Sequence, residues 1–113
     1  MNVACIVGRL TADPELKVTQ NGKNVTSFCV AVNRRGDGAD FIDCVAWEKR
    51  AEHICKYFSK GKEIAVSGEI QTRTYDDSSG KTRKVTEINV KDVSFVGKKE
   101  EKKETVAENE LPF

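Results

Sequence analysis

Residues 41–47 read FIDCVAW, and alternate positions in this stretch carry two different kinds of side chain. Successive side chains of a β-strand point to opposite faces of the sheet. One face is small and aliphatic, as the interior of a barrel requires, and consists of Ile42, Cys44 and Ala46. The other face, which we predict to point outward, consists of Phe41, Asp43, Val45 and Trp47.

Strand patterns also occur on both sides of this stretch. Apolar alternation predicts a strand at 3–10, and Asn21-Gly22 predicts a hairpin between 16–19 and 25–32 because both residues tolerate positive φ. Period two returns at 64–70, and a polar turn at 76–80 leads to a last strand over 85–95. In that strand the odd apolar steps 85 to 88 and 90 to 93 predict a bulge or bend.

One helix interrupts the strands. Apolar residues spaced at i, i+3, i+4 and i+7, and thus on one helix face, are Ala51, Ile54, Cys55 and Phe58. Gly61 follows where such a helix can end. Three strands, one helix and two strands predict an all-β fold, the OB-fold, which is a five-stranded Greek-key barrel with one short helix between strands 3 and 4.

The charges nearly cancel over the whole chain. Its 113 residues include 19 Lys+Arg and 18 Asp+Glu, which gives a net charge of +1. Residues 1–97 hold 15 basic and 13 acidic residues, and residues 98–113 hold 4 and 5. The sequence therefore predicts a mildly basic domain over 1–97 and a disordered, acidic-tipped tail over 98–113.

The four cysteines form no C-x-x-C pair, and the start of the chain lacks the layout of an export signal. We therefore expect reduced thiols that act as small buried hydrophobes, no metal site, no required cofactor and a cytoplasmic location. The sequence has no run of the ~18 apolar residues that a membrane span needs, so no membrane partner is expected. His53 and Cys55 lie two residues apart on the predicted helix and face different ways, so we predict no enzyme.

The outward aromatics of residues 41–47 offer π-faces on which nucleic-acid bases can stack. The alternative is that Phe41 and Trp47 belong to a core or to a subunit or partner interface, in which case the barrel is a protein-interaction module. Cations that could frame a basic groove, together with one further aromatic, are Arg34, Arg35, Lys49, Arg50, Arg73, Tyr75, Lys81, Arg83 and Lys84. The alternative for each is an ordinary solvated surface residue.

The chain ends in a short motif that stands out from the charged tail. Its residues are Glu108, Glu110, Leu111, Pro112 and Phe113. Such an end could place the phenyl ring in an apolar pocket of a partner while the carboxylates meet basic residues around it. The alternative is a solubilising tail that happens to end in phenylalanine.

Several stretches, in order along the chain, resemble the bacterial and phage single-stranded DNA-binding proteins. They are IVGRL at 6–10, DPEL at 13–16, NG at 21–22, DFIDCVAW at 40–47, KG at 60–61, QTRTY at 71–75 and ELPF at 110–113. The resemblance implies an OB-fold that assembles as a homotetramer and coats single-stranded DNA without strong sequence preference. It further implies roles in replication, recombination and repair, and a nucleoid-associated location.

Position by position, the resemblance also implies roles for individual residues. Phe41, Trp47 and Tyr75 are similar to base-stacking aromatics, and Lys49, Lys60 and Arg73 to phosphate-contacting cations. The tip at 108–113 is similar to a docking peptide for replication and repair enzymes. Two departures stand out: where the family often has a further aromatic, this chain has Arg34 and Arg35, and Asp43 would repel a nearby phosphate.

Overall fold

The computed structural model describes residues 1–96, so the predicted tail at 98–113 lies outside the described residues. The elements are β1 (Ala4–Leu10), β2 (Lys17–Val18), β3 (Asn24–Asn33), β4 (Ala39–Trp47), α1 (Glu48–Tyr57), β5 (Glu63–Asp76) and β6 (Thr82–Phe95). The strands close into a ring through the pairings β1–β3, β3–β4, β4–β6, β6–β5 and β5–β1. All of these pairs are antiparallel except β4–β6, which is parallel.

This ring, with one helix between β4 and β5, confirms the predicted OB-fold barrel. The predicted hairpin is also confirmed, since Lys17 pairs with Val25 and Gly22 has a φ of 82°. Its first arm, β2, is only two residues long and adds a sixth strand to the edge of β3. Closing the sheet leaves few unpaired edges, which is how a small all-β domain avoids pairing with other chains at random.

The barrel interior is built from alternate residues of the strands and is closed by the helix. Ile64 and Val30 are fully buried, as are Ala51 and Ile54 on the inner face of α1. Burying one such aliphatic side chain stabilises the fold by roughly 1.5–3 kcal/mol. The ten-residue α1 therefore adds its apolar face to the core, and no helix in residues 1–96 is long and apolar enough to cross a membrane.

The last strand contains one bulge, at the second of the two predicted irregularities. Ser67 pairs with Asp92 and Gly68 with Val90, so Lys91 is the extra residue on β6. The Lys91 carbonyl accepts a hydrogen bond from Nε of Arg50, which ties the bulge to α1. The pairing is regular from 85 to 88, so the step there reflects a change in burial along β6 and not a bulge.

Two predictions about individual side chains are wrong. Val45 is predicted to point outward, but only 7% of it is exposed: β3 and β6 both pair with β4 here, which places Ser27 and Asn89 directly beside it. Cys5 was expected to be buried, but it is exposed on the outer face of β1, and Cys29 and Cys55 are half-buried. Cys44 is buried as expected, and that burial raises the pKa of its thiol to about 12.

Thr26 is a polar residue inside the barrel, and its Oγ1 has no hydrogen-bond partner within the described part of the chain. A buried hydroxyl without a partner costs about 1–3 kcal/mol. Thr26→Val keeps the side-chain shape and removes that cost, so we expect the free energy of unfolding to rise by about 1 kcal/mol. Urea denaturation would measure it, with Thr72→Val on the exposed part of β5 as the matched control. An equal effect of both substitutions would contradict the assignment.

Candidate nucleic-acid interface

Two large aromatic side chains are exposed on the outer face of β4. Phe41 is 67% exposed and Trp47 is 40% exposed, as the alternation along the strand predicts. Both lie outside the short stretch, Cys44 and Val45, where β6 pairs with β4. The two residues are separated by six positions, or ~20 Å along a strand, so they can contact different nucleotides of an extended strand.

A groove of about 600 Å³ runs beside this face. Ser27, Cys29 and Asp43 form one wall on the outer face of β3 and β4. The opposite wall comes from the β5–β6 hairpin and consists of Arg73, Tyr75, Val85 and Glu87. Tyr75 is 47% exposed and pairs across the hairpin with Arg83. The groove therefore brings Asp43 of the outward β4 face together with Arg73 and Tyr75 of the predicted hairpin cluster. Phe41 and Trp47 are not among the residues that line it.

Three of the four arginines predicted for this site from the β3–β4 loop and the hairpin pair with a carboxylate. Nη2 of Arg34 lies 2.8 Å from Oδ1 of Asp40, and this hydrogen-bonded partner raises the pKa of the guanidinium. The other two pairs, both joined through Nε, are Arg73 with Glu87 at 3.1 Å and Arg83 with Asp77 at 2.8 Å. Sequence reasoning missed these partners, because neither Glu87 nor Asp77 lies directly opposite its arginine in the β5–β6 register.

Asp77 also shapes the tip of the hairpin. Its Oδ1 accepts hydrogen bonds from the Ser79 hydroxyl and from the backbone N–H groups of Ser79 and Lys81. The hydrogen bond from Ser79, followed by that from Arg83, lowers the pKa of this carboxyl to about 2. Because the folded-state pKa is depressed, the stabilisation is present above pH ~4 and is lost as the pH falls toward 2. The Arg83–Asp77 pair therefore persists at neutral pH.

Three further predicted cations, Arg35, Lys49 and Lys60, make no ion pair with any residue in the described range 1–96. Arg35 lies in the loop next to the Phe41 end of β4, and Lys49 lies in the first turn of α1, two residues after Trp47. The backbone N–H of Lys60 donates to Oδ1 of Asp13 at 2.8 Å, which fixes this loop next to the groove residue Ala12. Arg35 and Lys49 thus flank the two ends of the aromatic strand, and the backbone of Lys60 is tied to the loop beside the groove.

The groove also contains residues that the sequence did not single out as a site. Ser27 and Cys29 pair with Val45 and Asp43 across β3 and β4, so the same alternation that placed Phe41 could have placed them. Glu87 is the ion-pair partner of Arg73, but it pairs across the hairpin with Gln71, so the alternation of the sequence does not point to this contact. Asp43 has no cationic partner among residues 1–96 and places a negative charge on the stacking face.

The side chains of residues 1–96 form no cluster that could hold a metal ion. His53 contacts the ring of Tyr57 at a centroid distance of 4.9 Å, and no residue in 1–96 belongs to a group of three His, Cys, Asp or Glu side chains that could hold a metal ion. Aromatic faces beside cations are suited instead to a ligand that carries flat bases and a charged backbone. Single-stranded nucleic acid has both features.

Comparison with known proteins supports the same kind of ligand. The model of the single-strand binding protein family matches residues 1–96. A single-stranded DNA-binding protein of Halalkalibacterium halodurans is 46% identical over 102 residues, which cover 85% of this chain and 61% of that protein. Single-stranded DNA-binding protein 3 of Clostridium acetobutylicum is 50% identical, with 85% of this chain and 71% of the relative covered.

A third relative, single-stranded DNA-binding protein 1 of Staphylococcus aureus, is 44% identical over 102 residues, which cover 85% of this chain and 65% of that protein. The chain therefore spans about three-fifths to seven-tenths of the length of the curated relatives that it matches.

Proposed function

The chain belongs to the single-strand binding protein family, and we propose that it binds and protects single-stranded DNA without strong sequence preference. Binding on this proposal is passive, with no catalytic step and no cofactor. The observation that carries the proposal is the pair of exposed aromatics on β4, Phe41 and Trp47, next to a groove that also contains Tyr75. Every base has a π-face, so stacking on such side chains is tolerant of sequence.

The cations around the aromatic face supply the second part of the proposed binding energy. Arg35, Lys49 and Lys60 are free to neutralise phosphates, and Arg34, Arg73 and Arg83 keep further N–H donors outside their ion pairs. Phosphate neutralisation releases counterions from the strand, so affinity falls with salt by a slope of about 0.7 per phosphate. Because the net charge of the chain is near zero, we assign the larger share of the proposed binding energy to stacking.

A titration with a dT oligonucleotide and with a duplex of equal length, each at two salt concentrations, tests this function. We expect tight binding to the single strand and weak binding to the duplex, because paired bases cannot stack on the β4 face. The competing function is a protein-interaction module in which the exposed aromatics meet a partner protein. Indifference to both nucleic acids would favour that module and reject DNA binding.

We also infer that the protein associates with itself, as the homotetramer expected from the family resemblance. The outer face of β1 supports this inference: Val3 and Val7 are 65% and 50% exposed, and Cys5 lies between them. One edge of β1 pairs with β5, whereas the other edge pairs with β3 only at Arg9 and Leu10. An apolar strand with a partly open edge favours pairing with a second copy. Light scattering of the free protein should give four times the mass of one chain, and a monomer would contradict this.

The last element of the proposed function is recruitment of replication, recombination and repair enzymes by the acidic tip at 108–113, which lies outside the described residues. We expect deletion of residues 110–113 to leave the affinity for dT oligonucleotides unchanged or slightly higher, because it removes negative charge and none of the groove residues. The same deletion should abolish capture of such enzymes on DNA-coated beads. A large loss of DNA affinity would contradict this division between domain and tip.

A further inference from the structure

Carboxylates of the protein itself neutralise part of the positive charge on the proposed interface. Arg73, which lines the groove, and two further predicted cations, Arg34 and Arg83, each lie within 3.1 Å of a carboxylate, so each pair carries no net charge. Asp43 adds one more negative charge to the groove wall without a cationic partner among the described residues. The proposed interface therefore carries less net positive charge than its number of arginines suggests.

The pairs on the hairpin are also unequal in exposure. The side chain of Arg73 is 58% exposed, whereas that of its partner Glu87 is 11% exposed. The same holds for Arg83 at 57% and Asp77 at 21%. The arginine of each hairpin pair is thus more exposed to solution than its carboxylate. A phosphate that reaches Arg73 meets a cation whose charge is already balanced.

We propose that two carboxylates compete with DNA phosphates for their arginine partners: Glu87 for Arg73, and Asp40 for Arg34. This competition, which rests on the proposed function, sets both the affinity for DNA and its salt dependence. Counterion release requires that a protein cation neutralise a phosphate. When a paired arginine turns to a phosphate, its carboxylate takes up a cation from solution, and this uptake offsets the release. The paired arginines then hydrogen-bond to the strand but add little to the salt slope.

The consequence is an interface that loses less affinity in salt than its number of arginines implies. The unpaired Arg35, Lys49 and Lys60 supply most of the salt-sensitive binding. The stacking aromatics supply the part that salt does not screen. Such a balance favours binding over a wide range of ionic strength at the expense of affinity in dilute buffer.

Glu87→Gln is the most direct test, since glutamine keeps an oxygen that can accept the Nε–H of Arg73 and removes only the charge. We expect the slope of log K against log salt to be steeper than that of the wild type by about 0.7. The ratio of variant to wild-type affinity for a dT oligonucleotide should therefore be about fivefold higher at 0.1 M salt than at 1 M salt. Asp40→Asn tests the second pair in the same way and carries the test if Glu87→Gln fails to fold.

Glu63→Gln is the matched control. It changes the net charge of the chain equally, but it lies at the far end of β5, ten residues before Arg73. If Glu87→Gln and Asp40→Asn behave like Glu63→Gln, or bind more weakly than the wild type, the proposed competition is wrong, although wild-type binding to dT would still support the proposed function. If the wild type itself does not bind dT, the proposed function fails and the competition fails with it.

Discussion

Replacing Trp47 by alanine is expected to weaken binding to a dT oligonucleotide about 5- to 150-fold, because stacking of one base on an aromatic side chain contributes about 1–3 kcal/mol. Trp47 lies at the end of β4, is 40% exposed and faces the same side of the strand as Phe41. Its removal takes away a stacking face without touching the barrel interior. Anisotropy of a dye-labelled oligonucleotide measures the change without relying on tryptophan emission.

Trp47→Phe is the matched variant for this substitution. Phenylalanine retains a π-face, so we expect it to restore most of the affinity that alanine loses. Circular dichroism and urea denaturation of both variants check that the barrel is intact. Equal affinity of the alanine variant and the wild type would remove Trp47 from the interface and shift the account toward a protein-interaction surface.

Replacing Gly68 by alanine is expected to lower the free energy of unfolding by about 1–3 kcal/mol or more, because the new Cβ would overlap the backbone of β6. A Cβ built at Gly68 would clash with the Asn89 carbonyl oxygen and lie 3.1 Å from Cγ2 of Ile88. The clash involves backbone atoms at the bulge in the β5–β6 pairing, so neither strand can move aside without breaking that pairing. Urea denaturation would give the loss directly.

Gly36→Ala serves as the control for this effect. Gly36 lies in the loop between β3 and β4, and a Cβ there has no atom within 4 Å among residues 1–96. We expect that substitution to leave the stability nearly unchanged. Equal stability of the two alanine variants would mean that the close approach of β5 and β6 at Gly68 is not required for the fold.

Features that depend on neighbours in the chain could be predicted from the sequence. The outward positions of Phe41 and Trp47 follow from the period of a strand, and the helix face at Ala51 and Ile54 follows from the spacing of its apolar residues. The hairpin at Gly22 follows from the conformational freedom of its turn residues. Each of these inferences uses only residues within about ten positions of each other.

Features that depend on distant strands could not be predicted in the same way. The burial of Val45 requires the parallel pairing of β4 with β6, whose residues lie more than forty positions later in the chain. The pairing of Arg73 with Glu87 requires the register of a long hairpin, which composition does not fix. The exposure of Cys5 requires knowing which face of β1 the barrel leaves uncovered.

The same distinction applies to the charges at the interface. The sequence places Arg34, Arg73 and Arg83 near the aromatic face, but it shows them as free cations. Only the folded chain shows that each has a carboxylate within 3.1 Å. The list of basic residues therefore overstates the positive charge available to a phosphate backbone. Stacking is expected to supply a correspondingly larger part of the binding energy.

The central claim is that the exposed face of β4 binds the bases of single-stranded DNA, and Trp47 is the only tryptophan in the chain to report on it. The most direct test is a titration of the 113-residue chain with a dT oligonucleotide, followed by tryptophan emission and, in parallel, by anisotropy of the labelled strand. If a base stacks on Trp47, the emission is quenched and reaches a plateau at the same ratio of DNA to protein as the anisotropy. Binding seen by anisotropy with unchanged tryptophan emission would contradict the central claim, as would no binding at all.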